Sequence, residues 1–368
     1  MVKTDVAIAG GGPAGLAAAI AARRKGLRVA VFEGVRESPS IDKCCGEGLM
    51  PEALEALGEL GVELGAGMPV GGVRFIERGH RAEARFIRQT GAGIRRTALS
   101  SVLMEHARDA GAELFFGHPV RGLAKGGILA GDQQVQARWI VGADGSQSAM
   151  RRAAGLESRS ACPRRFGLRR HFRIEPWIDL VEAHWAHGVQ AFATPVAENE
   201  VEVAVLSSDS RLRFQDALLL FPELVARLKG AAATSNVRGA VTASRRLERV
   251  ATRDLALLGD ASGSVDSVTG LGLAMSFQQA VVLGEALAEG DLSLYEAQHH
   301  RLAKRPRLME SVMLAMDQRD TLRRRAIRTL EAEPAHFSSL LSVHTGTSSA
   351  LSFALRAPLA LGWRFLTV

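Results

Sequence analysis

Two adjacent cysteines stand in the stretch DKCCGEGLMP, residues 42–51, among glycines and before a proline. Thiols placed this way could react, bind a metal, or pack beside a bound molecule. Cys162 is the remaining cysteine, and three cysteines are too few for a disulfide framework. No second Cys/His pair at ligand spacing accompanies Cys44 and Cys45, which makes a metal the weakest reading. Cys44 is expected to be incidental, and the role of Cys45 depends on what the rest of the chain binds.

The N-terminal stretch DVAIAGGGPAGLAAAIAARRKGLRVAVFE predicts a strand, a glycine turn, a helix and a second strand. Gly10, Gly12 and Gly15 fit the G-x-G-x-x-G spacing. The first glycine makes a tight turn, the second lets the backbone approach a pyrophosphate, and the third allows the helix to pack on the strand. This context predicts dinucleotide binding.

The ends of this unit refine the prediction. Pro13 and Ala14 open the helix, whose free N–H groups would face the phosphates. Glu33 ends the second strand, where a carboxylate accepts hydrogen bonds from an adenosine ribose. An acid at this position argues against a 2′-phosphate.

Two later motifs indicate which dinucleotide is bound. In RWIVGADGSQSAMRRAAG an apolar strand ends at Asp144, and in DLALLGDASGSVDSVTGLGLAMSFQQAVVLGEAL another ends at Asp260. Each Asp could accept hydrogen bonds from ribityl or ribose hydroxyls. The second motif continues through Gly270, Leu271 and Gly272 into a long apolar helix, whose dipole would stabilise the negative charge that reduction places on a flavin.

The three motifs, in this order, resemble those of the p-hydroxybenzoate hydroxylase-type FAD oxidoreductases over roughly residues 1–300. That superfamily includes aromatic-ring monooxygenases, squalene epoxidase, tryptophan halogenases and geranylgeranyl reductases. The segment IRRTALSSVLMEHARDAGAELF is similar to the family helix whose arginine, here Arg96, lies beside the flavin chain. The resemblance also implies a cofactor role for Val120.

The same resemblance implies a place for the cysteine loop. In this family the loop after the second strand runs beside the isoalloxazine, so Cys45, Gly46, Gly48 and Leu49 are expected at the flavin. Packing beside the ring and a catalytic or flavin-tuning thiol both remain open for Cys45. The cofactor is expected to be FAD, with NAD(P)H as a transient reductant because no second G-x-G-x-x-G occurs.

The fold class implied is α/β, a Rossmann-type FAD-binding domain with an inserted antiparallel β-sheet substrate domain and a helical C-terminus. The expected FAD-binding domain is discontinuous and comprises residues 1–68, 95–158 and 250–300. The substrate domain, with the alternating strand patterns, comprises residues 69–94 and 159–249, and a helical segment follows at 301–368.

The reaction is the open question. The superfamily's many monooxygenases favour an NAD(P)H-dependent hydroxylation of a hydrophobic aromatic or polyketide-like molecule in secondary metabolism. The C-G-x-G-L pattern from Cys45 and the D-x-x-T-G spacing from Asp266 resemble geranylgeranyl reductases instead, which reduce C=C bonds of lipid-like substrates. A flavin-binding protein without turnover is a third hypothesis.

Few residues offer acid–base chemistry. Tyr295 is the single tyrosine, so a hydroxylase that ionises a phenol would need another base. His171, His184 and His187 lie in the expected substrate sheet, although any one of them is more simply a surface or core residue. In a reductase, Cys45 could supply the proton.

Composition restricts the partners. The formal net charge is +7 but is spread widely, and aromatics make up only 5%, so no nucleic-acid surface is expected. No signal peptide or apolar stretch of about 20 residues is visible, which predicts a cytoplasmic protein without a membrane span. The apolar C-terminal stretch, ending in Trp363 and Phe365, either packs on its own domain or makes a peripheral membrane contact. The oligomeric state is left open.

Overall fold

The computed structural model describes residues 2–36, 42–157 and 164–349. Four of the ten α-helices in these ranges begin with a proline. In chain order α1 to α10 are Pro13–Arg24, Pro51–Glu59, Arg96–Asp109, Ala149–Ala153, Phe214–Leu218, Pro222–Arg227, Gly272–Glu289, Leu292–Gln318, Asp320–Ala332 and Pro334–His344.

Eighteen strands form three sheets within the described residues. In chain order β1 to β18 are Val2–Ala9, Val29–Glu33, Gly48–Leu49, Met68–Val70, Gly72–Glu77, His80–Arg85, Gly91–Gly93, Glu113–Phe116, Val120–Ala124, Gly127–Ala130, Gln133–Gly142, Arg164–Arg173, Val181–Ala186, Val189–Ala197, Glu200–Ser207, Ala232–Ala233, Arg238–Ala243 and Leu255–Leu257.

The first sheet, here called the parallel sheet, has the order β8-β2-β1-β11 and continues with β18 and the β10-β9 hairpin on the far side of β11. Strands β1, β2, β8, β11 and β18 run parallel, which places their carboxyl ends along one edge. Ligands of doubly wound sheets bind at this edge. The alanine-rich α1 is buried between the sheet and α7, where small side chains allow a close approach.

The second sheet, here called the inserted sheet, has the order β16-β12-β15-β14-β13-β5-β6, and β17 also pairs with β12. All its pairs are antiparallel except β13 with β5. As the alternating patterns predict, Glu198 and Asn199 form the turn between β14 and β15. A short third sheet, β3-β7-β4, connects the two larger ones.

The inserted sheet is covered on both faces. Helices α5 and α6 cover one face through Phe214, Phe221 and Leu224. Helices α8, α9 and α10 pack against β5 and β6 through Ile327 and Phe337. No helix within the described residues combines the length and apolar character needed to cross a bilayer.

Candidate flavin and substrate site

A cavity of about 840 Å³ lies between the carboxyl edge of the parallel sheet and the inserted sheet. One part of its wall is the glycine turn, the cysteine loop and the start of α7. The other part is apolar and comes from the inserted sheet and helices α8 to α10. The volume is at the upper end for small-molecule sites, so the cavity has room for more than one ligand group.

Each motif glycine occupies the geometry that its predicted role requires. Gly10 has φ +109°, and a Cβ there would lie 2.4 Å from the Ala143 carbonyl oxygen. A Cβ on Gly15 would lie 1.9 Å from the Gly10 carbonyl oxygen, so only glycine permits this helix–strand contact. A Cβ on Gly12 would meet no described atom within 4 Å and would project into open space. That open backbone, at the N-terminus of α1, is the surface that a pyrophosphate needs.

Glu33 lies beside this turn at the end of β2. Its carboxylate accepts hydrogen bonds from the backbone N–H groups of Gly11, at 2.8 Å, and Val35, at 3.0 Å. These two bonds fix the carboxylate at the crevice where a ribose would lie. Val120 begins β9 close by, since the neighbouring His118 N–H donates to the Glu33 carbonyl oxygen.

The two motif aspartates differ in their surroundings. The Asp144 carboxylate accepts hydrogen bonds from Ser148 Oγ and the Met150 N–H, which caps the start of α4. Its neighbours Gly145 and Ser146, rather than Asp144 itself, line the cavity. Asp260 lines the cavity and is exposed in it. In the sequence the two strand-end acids look equivalent. In the structure the Asp144 carboxylate is already used in hydrogen bonds at the start of α4, whereas Asp260 faces the cavity.

Helix α7 starts at the cavity. Gly270, with φ +66°, and Gly272 line the wall, whereas Leu271 is buried behind them. The first N–H groups of a helix have no partner within it, so those of α7 are free for an electron-rich ligand edge. Arg96 lies in the same wall, 9% exposed, and its buried Nε has no hydrogen-bond partner. An orphaned guanidinium nitrogen and a free helix N-terminus fit a flavin.

The cysteine loop, residues 42–48, crosses between the two halves of the cavity. Gly48 and Leu49 form β3 and pair with β7, while Cys44, Cys45 and Gly46 line the wall. Burial raises the pKa of the Cys45 thiol. Burial, with a smaller contribution from the Glu202 carboxyl, raises the pKa of Cys44 to about 12. Both thiols therefore hold their protons at neutral pH, so neither is a thiolate nucleophile.

A buried charged cluster lies beneath this loop, and the sequence reasoning did not identify it as such. Glu47 has φ +53° and is 2% exposed. Its carboxylate accepts a hydrogen bond from the Arg96 N–H at 2.9 Å and lies 2.7 Å from His171 Nε2. Arg169 pairs with Asp42 and lies 3.8 Å from Glu47. A glutamate between two glycines was the only available signal.

Other predicted residues lie elsewhere. The Tyr295 hydroxyl donates to the Leu257 carbonyl oxygen at 2.6 Å inside the parallel-sheet core, so it does not line the cavity. His184 is buried beside Glu182, and the exposed His187 pairs with Asp320. Cys162 and residues 350–368, with Trp363 and Phe365, lie outside the described residues. No cluster of three or more His, Cys, Asp or Glu side chains within the described ranges is arranged to hold a metal ion.

The apolar part of the cavity extends away from the glycine turn. Its wall is made of aliphatic and aromatic side chains from the inserted sheet and from α8 to α10, among them Phe75, Leu168, Phe192, Met313, Phe337 and Leu341. His344, at the end of α10, also lines it, and burial lowers the pKa of its imidazole to about 4. This histidine is therefore neutral at pH 7, and its Nε2 bonds the Thr269 carbonyl oxygen at 3.0 Å.

Comparison with known proteins agrees with this geometry. Residues 3–169 match the model of the FAD binding domain family. The chain is 28% identical over 315 residues to digeranylgeranylglycerophospholipid reductase 1 of Methanopyrus kandleri, covering 78% of this chain and 81% of that one. It is 26% identical over 338 residues to rifampicin monooxygenase of Streptomyces venezuelae, covering 81% and 68%.

Two solved structures share the fold. A flavoprotein/dehydrogenase from Cytophaga hutchinsonii has a TM-score of 0.81 at 18% identity, with 99% of this chain and 98% of that one covered. A geranylgeranyl bacteriochlorophyll reductase-like protein from Thermoplasma acidophilum has a TM-score of 0.75 at 20% identity, with 100% and 98% covered.

The chain is therefore an FAD-dependent oxidoreductase. The FAD binding domain match confirms the resemblance to the p-hydroxybenzoate hydroxylase-type superfamily that was drawn from its motifs. FAD is its cofactor, and NAD(P)H is the reductant typical of that superfamily.

Proposed function

We propose that this flavoprotein reduces C=C bonds of a lipid-like, isoprenoid substrate. The observation that carries the proposal is the pairing of two protonated thiols with a long apolar wall in one cavity. An isoprenoid chain needs a water-excluding apolar channel, and each reduced double bond needs one hydride and one proton. Bound FAD, once reduced by NAD(P)H, would supply the hydride.

The residues of the chain would hold the cofactor and the substrate and would supply the proton. Gly12 and the α1 N-terminus would hold the pyrophosphate, Glu33 the adenosine ribose, and Arg96 and the α7 N-terminus the flavin end. Phe192 and Leu168, on the inserted sheet, would hold the substrate chain and exclude water. The Cys45 S–H would give its proton to the substrate carbon that does not receive the hydride, leaving a thiolate to be reprotonated.

Reduction is favoured over hydroxylation, the reaction that the sequence alone favoured. A hydroxylase that ionises a phenol needs a base in the cavity. Tyr295 is bonded elsewhere, and the low pKa of His344 makes it a poor base. Digeranylgeranylglycerophospholipid reductases of several archaea are also prominent among the relatives. The rifampicin monooxygenase likeness supports the second candidate, NAD(P)H-dependent oxygenation of a hydrophobic aromatic or polyketide-like molecule.

One experiment separates the candidates. FAD-loaded protein would be reduced chemically under anaerobic conditions and mixed with a geranylgeranyl lipid. Reoxidation of the flavin together with gain of one H2 per double bond, seen by mass spectrometry, is the expected result. Incorporation of isotopically labelled dioxygen into an aromatic or polyketide test substrate would instead establish the oxygenase. Neither reaction, in protein that binds FAD, would point to a flavin-binding protein without turnover.

The cavity opening suggests how a lipid would enter. Val237, Val241 and Val312 line the cavity and are also exposed, at 42%, 46% and 40%. Lys43 lies in the same wall, as does Arg238, which pairs with Asp42. An apolar rim with basic side chains fits an anionic membrane surface. We therefore propose that this opening, in addition to the C-terminal stretch for which it was first expected, makes a peripheral membrane contact.

A further inference from the structure

Glu202, on β15 of the inserted sheet, lies directly beneath the cysteine loop. It pairs across the sheet with His171 on one side and with Thr194 on the other. Residues directly opposite in neighbouring strands project from the same face. His171 contacts Glu47, and Thr194 Oγ1 donates to the Gly46 carbonyl oxygen at 3.0 Å, so this face meets the loop. Glu202 occupies the centre of that contact.

The Glu202 carboxyl has no exposed surface, and neither of its oxygens has a hydrogen-bond partner. An ionised carboxylate in such a place would lose its hydration without gaining a hydrogen bond in return. The Glu47 carboxylate repels a second negative charge, while Arg169 offsets only part of the effect, so the pKa of Glu202 is raised well above its ordinary value of 4.5. Burial without a hydrogen-bond donor therefore favours the protonated form of Glu202.

The same carboxyl is close enough to the loop thiols to affect them. A negative charge on it would raise the pKa of both Cys44 and Cys45 further. The Cys44 sulfur faces β12, 3.8 Å from the position of a Cβ on Gly167. The Cys45 sulfur accepts a hydrogen bond from the Glu47 N–H. A carboxyl that favours its protonated form thus lies beneath the loop that carries the two thiols.

A path leads from this cluster to the surface. His171 Nδ1 lies 2.9 Å from Ser235 Oγ, and Ser235 is half-buried at the edge of the sheet. His171 also lies beside Arg169, at 3.0 Å, and bonds Glu47 at its other nitrogen. Ser235 and His171 thus form a hydrogen-bonded chain from the half-buried edge of the sheet to the Glu47 carboxylate.

We propose that Glu202 is the proton store of this site. After the Cys45 thiol has protonated the substrate carbon, Glu202 supplies the replacement proton to the loop. A solvent proton then restores Glu202 by way of Ser235 and of His171, which lies directly opposite Glu202 across β12 and β15. For each double bond the relay delivers one solvent proton and moves no electrons, since the hydride would come from the reduced flavin. Glu202 touches neither substrate nor flavin and acts through Cys45, so it is a positioning residue. The inference rests on the proposed reductase activity.

The first test does not depend on turnover. Infrared difference spectra of the FAD-loaded protein at neutral pH should contain a carboxylic acid C=O band that Glu202→Gln removes. Glu182→Gln is the matched control, since Glu182 is also buried in the same sheet but is bonded to Arg74 and Trp177. A spectrum in which Glu202→Gln removes no acid band means that Glu202 is ionised, which overturns the proposal whatever the enzyme reduces.

The second test follows the reaction. Glu202→Gln should lower kcat for alkene reduction about tenfold, leaving KM and reduction of the flavin by NAD(P)H unchanged, and Glu202→Asp should restore part of the rate. The wild-type rate should fall as pH rises through the raised pKa of Glu202, a limb that the Gln variant lacks. Equal kcat and equal pH profiles in wild type and variant would refute the role of Glu202 as the proton store. A wild type without alkene reduction, but with the acid band, would refute only the proposed activity.

Discussion

At the glycine turn, the effect of a substitution depends on what one added carbon atom would contact. Gly12 and Gly15 belong to the same motif, yet an added methyl group would meet open space at the first and a carbonyl oxygen at the second. The two glycines should therefore fail in different ways when substituted.

Gly12→Ala should fold with an unchanged melting temperature but bind FAD about tenfold or more weakly, since the methyl group occupies the place of the pyrophosphate. Gly15→Ala should lose about 1–3 kcal/mol of stability from the forced contact. FAD titration by flavin fluorescence and thermal unfolding of the cofactor-free protein measure the two effects. Identical behaviour of the two variants would contradict the geometry.

Cys45 carries the proton in the proposed reaction. Cys45→Ala should lower alkene reduction about a hundredfold, the usual scale for losing a general acid, while FAD remains bound and is still reduced. Cys44→Ala is the control and should change the rate far less. Stopped-flow measurement of flavin reoxidation by the lipid gives both numbers. Unchanged turnover in Cys45→Ala would remove this thiol from the mechanism.

At the level of elements, α10 is joined to the loop before α7 by a hydrogen bond. The bond links His344 Nε2 to the Thr269 carbonyl oxygen. The imidazole is buried, and both burial and Arg305 lower its pKa to about 4 from an ordinary 6.5. The unfolded chain therefore binds this proton more readily than the folded one.

The consequence is a pH-dependent stability between about pH 6.5 and pH 4. Stability should fall as pH decreases through this window, because the proton taken up on unfolding favours the unfolded chain, with a limit of about 3 kcal/mol from this group. His344→Gln should remove that part of the slope. Urea unfolding at pH 7 and pH 4.5 would show it, and equal slopes in both proteins would refute the assignment.

The elements also show what sequence can predict. The glycine turn, the two strand-end acids and the proline-led α2 follow from local pattern, because each is set by neighbours in the chain. The buried charged cluster does not follow from local pattern. Glu47, His171 and Glu202 come together only because β12 pairs with β15 in one register and because the cysteine loop crosses that sheet. Asp144 illustrates the same limit, since a helix cap occupies the carboxylate expected at the cofactor.

On the scale of the whole molecule, the cavity opening should control contact with lipid. The double variant Val241→Glu, Val312→Glu should reduce co-sedimentation with anionic vesicles several-fold by adding charge to the rim. Leu219→Glu is the control, because Leu219 is 72% exposed and does not line the cavity. Equal vesicle binding by rim and control variants would exclude this opening as the membrane contact.

The cofactor site is assembled from distant parts of the chain. Its glycine turn ends at Gly15, yet the helix that completes it, α7, begins at Gly272, and most of the inserted sheet lies between them. A ribosome synthesises the chain from the N-terminus, so the inserted sheet emerges before the dinucleotide crevice can close. Flavin capture is therefore a late event in biogenesis, and bound FAD marks a chain whose synthesis has passed the start of α7.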